Sequence, residues 1–252
     1  MRRALGWAIV GGMTDHPFRF GAVAGQAPDA DSWAGLARRA ESRGYSTLLV
    51  PDTLGTLSPF VATAVAAAVT TTLRVGTFVL SAPYRTPETV AWETATLHRL
   101  TGGRFELGLG AGRPGAEQDA ATLGVAWGTP SHRIEQVSRT LDAVKDVRIM
   151  VAASGTRLLR LAAQRADTVA LGLPPHYTED QVAAKLDELY ELAGDRFHDL
   201  ELSMNLAAAG AEPPAWLVSR LGPVGPGSTG VLTGTADEMA ETLRRSPVPD
   251  RT

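Results

Sequence analysis

The chain of 252 residues contains no cysteine, which excludes disulfides, thiolate metal sites and a cysteine nucleophile. Its histidines, His16, His98, His132, His176 and His198, are scattered without ligand spacing, so no metal centre is expected. No hydrophobic run approaches the length of a membrane span, and there is no charge run or low-complexity tract. The formal net charge is only −3, with no basic stripe to neutralise phosphates, so a nucleic-acid partner is not expected. These absences leave a soluble, cytoplasmic protein acting on a small molecule, of a length that suits one α/β barrel.

What is present centres on Thr101-Gly-Gly-Arg-Phe-Glu-Leu-Gly-Leu-Gly-Ala-Gly112. Gly102 and Gly103 end a helix, because glycine takes positive φ without steric cost. Phe105, Leu107 and Leu109 alternate with Glu106, Gly108 and Gly110, the period of a strand. Glycines on one face admit either a flat ligand or a neighbouring backbone. The polar loop Arg113-Pro-Gly-Ala-Glu117 follows at the strand's tip.

The same strand-then-helix unit repeats along the chain. Strands are predicted over 18–24, 46–50, 73–80, 104–110, 147–152, 167–171 and 200–207. Asp31 is the predicted cap of the first helix. Thr178-Glu-Asp-Gln181 and Thr235-Ala-Asp-Glu238 read as capping boxes opening the last two. Strict alternation implies a parallel sheet. Polar groups stand at most strand tips: Gly25-Gln26, Asp52-Thr53, Ser81-Ala82-Pro83, Gly110 to Arg113, Ser154-Gly155 and Asn205. That distribution favours a barrel, whose active face is built from all strand ends, over a Rossmann sheet with one switch point. The predicted fold class is α/β, a TIM-barrel-like (β/α)8 domain over 13–245, incomplete at its C-terminal strand, with a tail over 246–252.

Residues 1–12 leave two readings open. Met13 is a natural start, with Gly11-Gly12 before it as a translated ribosome-binding site. Alternatively Leu5-Gly-Trp-Ala-Ile-Val10 is a strand, pairing antiparallel along the first barrel strand and covering its open edge.

With these landmarks placed, residues 13–244 resemble the luciferase-like monooxygenase superfamily, and within it the oxidoreductases that use coenzyme F-420. The resemblance is carried by Phe18-Arg-Phe-Gly21, Ala40-Glu-Ser-Arg-Gly-Tyr45, Val50-Pro-Asp52, Leu73-Arg-Val-Gly76, Gly103 to Gly112, Leu158 to Ala163 with Ala166-Asp167, and Leu232-Thr-Gly-Thr235. It implies an oxidoreductase that moves hydride between a deazaflavin (F-420) or FMN and a small organic substrate, acting as a homodimer. By the same resemblance Asp52 and Thr53 lie beside the ring as catalytic residues. Ser81 and Ala82 support it, where relatives often bend the strand through a non-prolyl cis peptide. Gly110, Gly112, Arg113 and Glu117 contact the cofactor. Ser154, Gly155, Thr156 and Arg157 form the phosphate site, using free amides at a helix start.

The chain departs from the family at several points. Thr53 stands where relatives carry histidine, and threonine does not titrate near neutral pH. Ser81-Ala82-Pro83 replaces an Asn-Asn-Asp tip before the aromatic Tyr84. The excursion after the helix near 131–145 and the strand after the last helix are both missing. Two alternatives follow: a cofactor-independent isomerase or cyclase using the emptied ring pocket, or a non-catalytic partner subunit. Arg19, Arg74 and Glu106 read as a structural ion pair at strand starts, Trp33 and Trp92 as helix-face packing, and His132 as a surface residue. Ala62-Thr-Ala-Val-Ala-Ala-Ala-Val69 is the predicted dimer surface.

Overall fold

Short apolar runs and amphipathic helices alternate to give a curled parallel sheet covered by helices in the computed structural model, which describes residues 18–210 and 227–245. The sheet contains β1 (Gly21–Val23), β2 (Thr47–Val50), β3 (Arg74–Thr77), β4 (Leu80–Ser81), β5 (Phe105–Gly110), β6 (Ile149–Ala153), β7 (Thr168–Leu171) and β8 (Glu201–Met204). All pairings are parallel and follow chain order, with β4 continuing the path of β3 along β5. The helices between them are α1 (Ala30–Ser42), α2 (Pro59–Ala68), α3 (Pro87–Leu100), α4 (Glu117–Thr122), α5 (Pro130–Ala143), α6 (Thr156–Arg165) and α7 (Glu179–Ala193).

Every residue of β2, β5 and β7 is buried, as strands covered on both faces require. Phe105, Leu107 and Leu109 pack into one core with Leu48, Val75, Phe60 and Leu159. Trp33 joins this core and donates its indole N–H to the Ala62 carbonyl at 2.9 Å, tying α1 to α2. Trp92 does not pack as predicted. The buried face of α3 runs through Val90, Thr94 and Leu97, which leaves Trp92 on the opposite side, 73% exposed. The cap of α1 is Asp29, not Asp31: Asp29 has extended backbone and accepts the Ser32 amide at 2.8 Å, whereas Asp31 already lies in the first turn.

The predicted strand over 73–80 is broken. A cis peptide joins Phe78 to Val79, three residues before the Ser81–Ala82 position the resemblance implied. The ladder explains the break. β3 leaves β5 at Gly76 opposite Glu106, and β4 rejoins it at Leu80 opposite Leu109, so four steps on one strand face three on the other. The Thr77 hydroxyl fills the gap, accepting the Gly108 amide at 2.9 Å and donating to the Gly108 carbonyl at 2.7 Å. Position 108 must be glycine here because a Cβ would collide with the Thr77 carbonyl oxygen.

At the N-terminal ends of the strands, Glu106 is buried between Arg19 at 2.8 Å and Arg74 at 2.5 Å, the structural ion pair the sequence predicts. Arg19 also reaches Glu201 at 3.1 Å, which bridges the two edge strands β1 and β8. Burial pushes the Glu201 carboxyl up, but Arg19, the Thr168 hydroxyl and Arg148 outweigh it and hold it below the usual carboxylate range.

Among the described residues the main sheet stops at β8, leaving the barrel incomplete. The predicted strand over 200–207 is shorter, ending at Met204; beyond it β9 (Ala208–Gly210), outside the main sheet, pairs in parallel with β10 (Val231–Thr233), and the sequence reading placed neither. This ribbon docks on the loop after β7, where Tyr177 and Pro175 accept the amides of Thr229 and Gly230 at 2.8 and 3.1 Å. The Thr235 capping box opens the helix Ala236–Arg245, with both reciprocal bonds present at 2.8 and 3.3 Å. The segment Leu5–Val10 lies outside the described residues, as does the tail.

Candidate functional site

The C-terminal tips of the strands surround a cavity of about 640 Å³. Pro51, Asp52 and Thr53 come from the end of β2, and Phe78 to Ser81 from the broken β3–β4 path. Gly110 to Pro114 follow β5, Pro130, Arg133 and Ile134 open α5, and Ala152 to Leu158 join β6 to α6. Ten of the sequence-predicted positions meet here: Asp52, Thr53, Ser81, Gly110, Gly112, Arg113, Ser154, Gly155, Thr156 and Arg157. Two do not line it. Ala82 is buried in the 3-10 turn Ala82–Tyr84, and Glu117 points to solvent at the start of α4. Arg113 pairs with Asp119, at 2.6 Å.

Asp52 is fully engaged. Arg85 donates from Nη1 to Oδ2 at 2.7 Å and from Nη2 to Oδ1 at 3.1 Å, and the Ser81 amide adds a third bond at 2.9 Å. A two-pronged guanidinium–carboxylate pair of this kind fixes geometry as well as charge. It ties the end of β2 to β4. Thr53 lines the cavity beside it. The Ser81 hydroxyl is buried and has no partner among the described residues.

The wall after β5 is a small structure of its own. Tyr84, Ala116 and Ala120 form a second apolar cluster with Val125 and Trp127. Tyr84 donates its hydroxyl to the Ala116 carbonyl at 3.2 Å. Burial, reinforced by Asp119, pushes its phenol upward, so it stays a neutral donor. Trp127 lies against Gly112, whose φ of 88° and missing Cβ are both needed, since a Cβ would run into the indole. Arg133 stacks over Trp127 with its Cζ 4.4 Å from the ring centre.

At the other wall, Gly155 caps α6 without a side chain, so the first amides of that helix keep no side-chain acceptor. Arg157 reaches the Ser131 hydroxyl at 2.9 Å. Two predicted phosphate residues have commitments: Lys185 takes the Ser154 carbonyl at 3.1 Å, and the Thr156 hydroxyl donates to Glu188 at 2.6 Å. Lys185 and Thr156 together hold the Glu188 carboxyl below its usual range. The donors that remain at this corner are the α6 amides, the Ser154 hydroxyl and Arg157.

Sequence reasoning missed Arg85, Trp127 and Arg133. None belongs to a motif, and each acts through a partner at least five positions away. Among the described residues the cavity lining has no histidine, and the carboxylate that lines it, Asp52, is paired. Among the described residues no cluster of metal-binding side chains occurs, and no helix is long and apolar enough to cross a membrane. The net chemical character is an apolar floor with cationic walls, suited to an anionic, largely flat ligand.

Comparison with known proteins bears on the fold and the family. Residues 13–144 match the family model described as luciferase-like monooxygenase. A phthiodiolone/phenolphthiodiolone dimycocerosates ketoreductase of a Mycobacterium species is 30% identical over 155 residues, 49% of this chain and 39% of that protein. A 4-hydroxyprotoasukamycin monooxygenase of Streptomyces nodosus is 35% identical over 127 residues, 48% of this chain and 33% of that protein. The chain thus spans well under half the length of these curated relatives; for an uncharacterized protein of Mycobacterium tuberculosis, 32% identical over 40% of this chain, the share is 43%. Among solved structures, a monooxygenase of Streptomyces bottropensis superposes with a TM-score of 0.68 at 19% identity, covering 90% of this chain and 88% of that one. The coenzyme F-420-dependent tetrahydromethanopterin reductase of Methanopyrus kandleri gives 0.63 at 17% identity, covering 76% and 66%. These structures share the fold. Because the family model covers more than half of its residues, the chain belongs to the luciferase-like monooxygenase family.

Proposed function

We propose that the protein is an oxidoreductase that binds coenzyme F-420 or FMN in the cavity at the strand tips and exchanges hydride with a small organic substrate. One observation carries this reading: the cavity joins an apolar floor, Phe78 to Leu80, to a corner where uncapped α6 amides and Arg157 offer donors to a phosphate. That donor set and floor fit a flat ring with a phosphorylated tail. The solved neighbours include an F-420-dependent secondary alcohol dehydrogenase in complex with an F-420–acetone adduct, with a TM-score of 0.66 at 17% identity.

The bound cofactor would supply or accept the hydride. The chain's own residues do the rest. Arg157 and the start of α6 hold the phosphate. Asp52 acts as a positioning residue, with Arg85, by anchoring the Ser81 amide. Thr53 borders the ring with a hydroxyl that donates or accepts a hydrogen bond without titrating. Titration of the purified protein with F-420 and with FMN tests the reading; no binding of either below about millimolar overturns it.

The protein acts as a homodimer in this proposal. Ala62, Thr63, Ala66 and Ala67 face the core, so the predicted small-residue surface reduces to the other side of α2. There Val61 and Val65 are exposed. No charged residue occurs in α2, so a two-fold contact placing it against its own copy opposes no like charges along that helix.

A further inference from the structure

Four arginines border or support the cavity, and two of them are already neutralised: Arg85 by Asp52 and Arg113 by Asp119. The other two, Arg133 and Arg157, have no carboxylate partner among the described residues. The proposed cofactor phosphate accounts for Arg157. Arg133 is left over.

Arg133 is not a loose surface arginine. Its Nε donates to the Ala111 carbonyl at 3.0 Å and its Nη1 to the Gly128 carbonyl at 2.9 Å. Its Cζ lies over the ring of Trp127, which is itself seated against Gly112. Three contacts thus hold a guanidinium that lines the cavity, and the Nη2 amino group has no acceptor among the described residues. A partly buried cation kept rigid and unpaired is unfavourable until an anion meets it. A fixed guanidinium fork recognises planar carboxylates better than a mobile ammonium does.

We infer that Arg133 is a specificity-determining residue that binds a carboxylate on the substrate, so that the enzyme acts on an organic acid with an apolar body. The apolar body would lie along Ile134 and Leu158, which line the same cavity. This rests on the placement of the cofactor phosphate at Arg157 and the start of α6.

The test uses isothermal titration of the full chain with two probes of equal shape, 4-phenylbutyrate and the uncharged 4-phenylbutanamide. The acid is expected to bind about tenfold more tightly than the amide, and Arg133→Gln to abolish that preference while Arg133→Lys restores only part of it. Circular dichroism reports whether the variants fold, and the acid–amide comparison in the unmodified protein stands without them. Equal binding of the two probes, including binding of neither up to about 10 mM, overturns the inference. So does an Arg133→Gln variant that keeps its acid preference but loses affinity for F-420 or FMN, which would assign Arg133 to the cofactor. Failure of the unmodified protein to bind either cofactor overturns the proposed function instead and leaves a carboxylate preference intact.

Discussion

Arg85 grips both carboxylate oxygens of Asp52, at 2.7 and 3.1 Å, and so decides what Asp52 can do. The pair is 33 residues apart in the chain and mostly buried, and its third bond holds the amide of Ser81. A carboxylate committed in this way shapes the cavity wall and has no oxygen free for proton transfer.

Asp52→Ala is therefore expected to destabilise the protein by on the order of 3 kcal/mol, because it leaves Arg85 unpaired. In a chain of this size that lowers the melting temperature by about 6–12 °C. Arg85→Met should act in the same direction and, like Asp52→Ala, weaken cofactor binding. A variant Asp52→Asn that melts unchanged yet loses turnover would instead make Asp52 a proton-transfer group.

Gly112→Ala is expected to cost about 1–3 kcal/mol, since it strains a positive φ and drives a methyl group into Trp127. Trp127→Ala removes the obstacle but also empties the second cluster. The double variant should lose less than the two single losses combined, because only the φ strain at position 112 remains. Denaturant unfolding of the four proteins measures this coupling, and strict additivity would mean that the indole does not sit against Gly112.

Glu41 ties α1 to the start of β3. Its Oε1 accepts the amides of Thr71, Thr72 and Leu73 at 2.8, 2.6 and 2.9 Å. The Thr72 and Leu73 amides in particular lower its carboxyl from 4.5 to about 2. A depressed folded value contributes stability that is fully present above 4.5 and is lost as pH falls toward 2. Comparing the unmodified protein with Glu41→Gln by urea unfolding should show a stability gap at pH 7 that shrinks through this window. A gap that stays constant down to pH 2 would show that the charge contributes nothing.

The dimer contact predicts a change in mass. Val61→Glu places a charge opposite its own copy and is expected to convert a dimer into a folded monomer, read by light scattering at tens of micromolar. A monomeric mass for the unmodified chain removes the proposal.

Much of the fold was legible because its signals are local. The Glu106–Gly110 glycine pattern, the helix stops at Gly44 and Gly103, and the capping box at Thr235 each depend on backbone geometry within a few residues. The cavity's ring of tips followed from strand–helix alternation. Errors arose where the deciding contact is distant. The break at Phe78–Val79 depends on register against β5, Trp92 on which face of α3 the core claims, and the exposure of Glu117 on how α4 is oriented. β9 and β10 are three-residue strands, too short for a periodic signal.

The sequence by itself determined the order of elements and the residues that gather at the strand tips, because burial period and helix capping are written in near neighbours. Tertiary structure alone decided how charge is distributed at the site. Arg85 neutralises Asp52, Asp119 neutralises Arg113, and Arg133 is fixed on Trp127 without a counterion among the described residues. An ion pair depends on the inverse of a distance in space. No spacing along the chain records which of two arginines will find its carboxylate and which will be left facing the cavity.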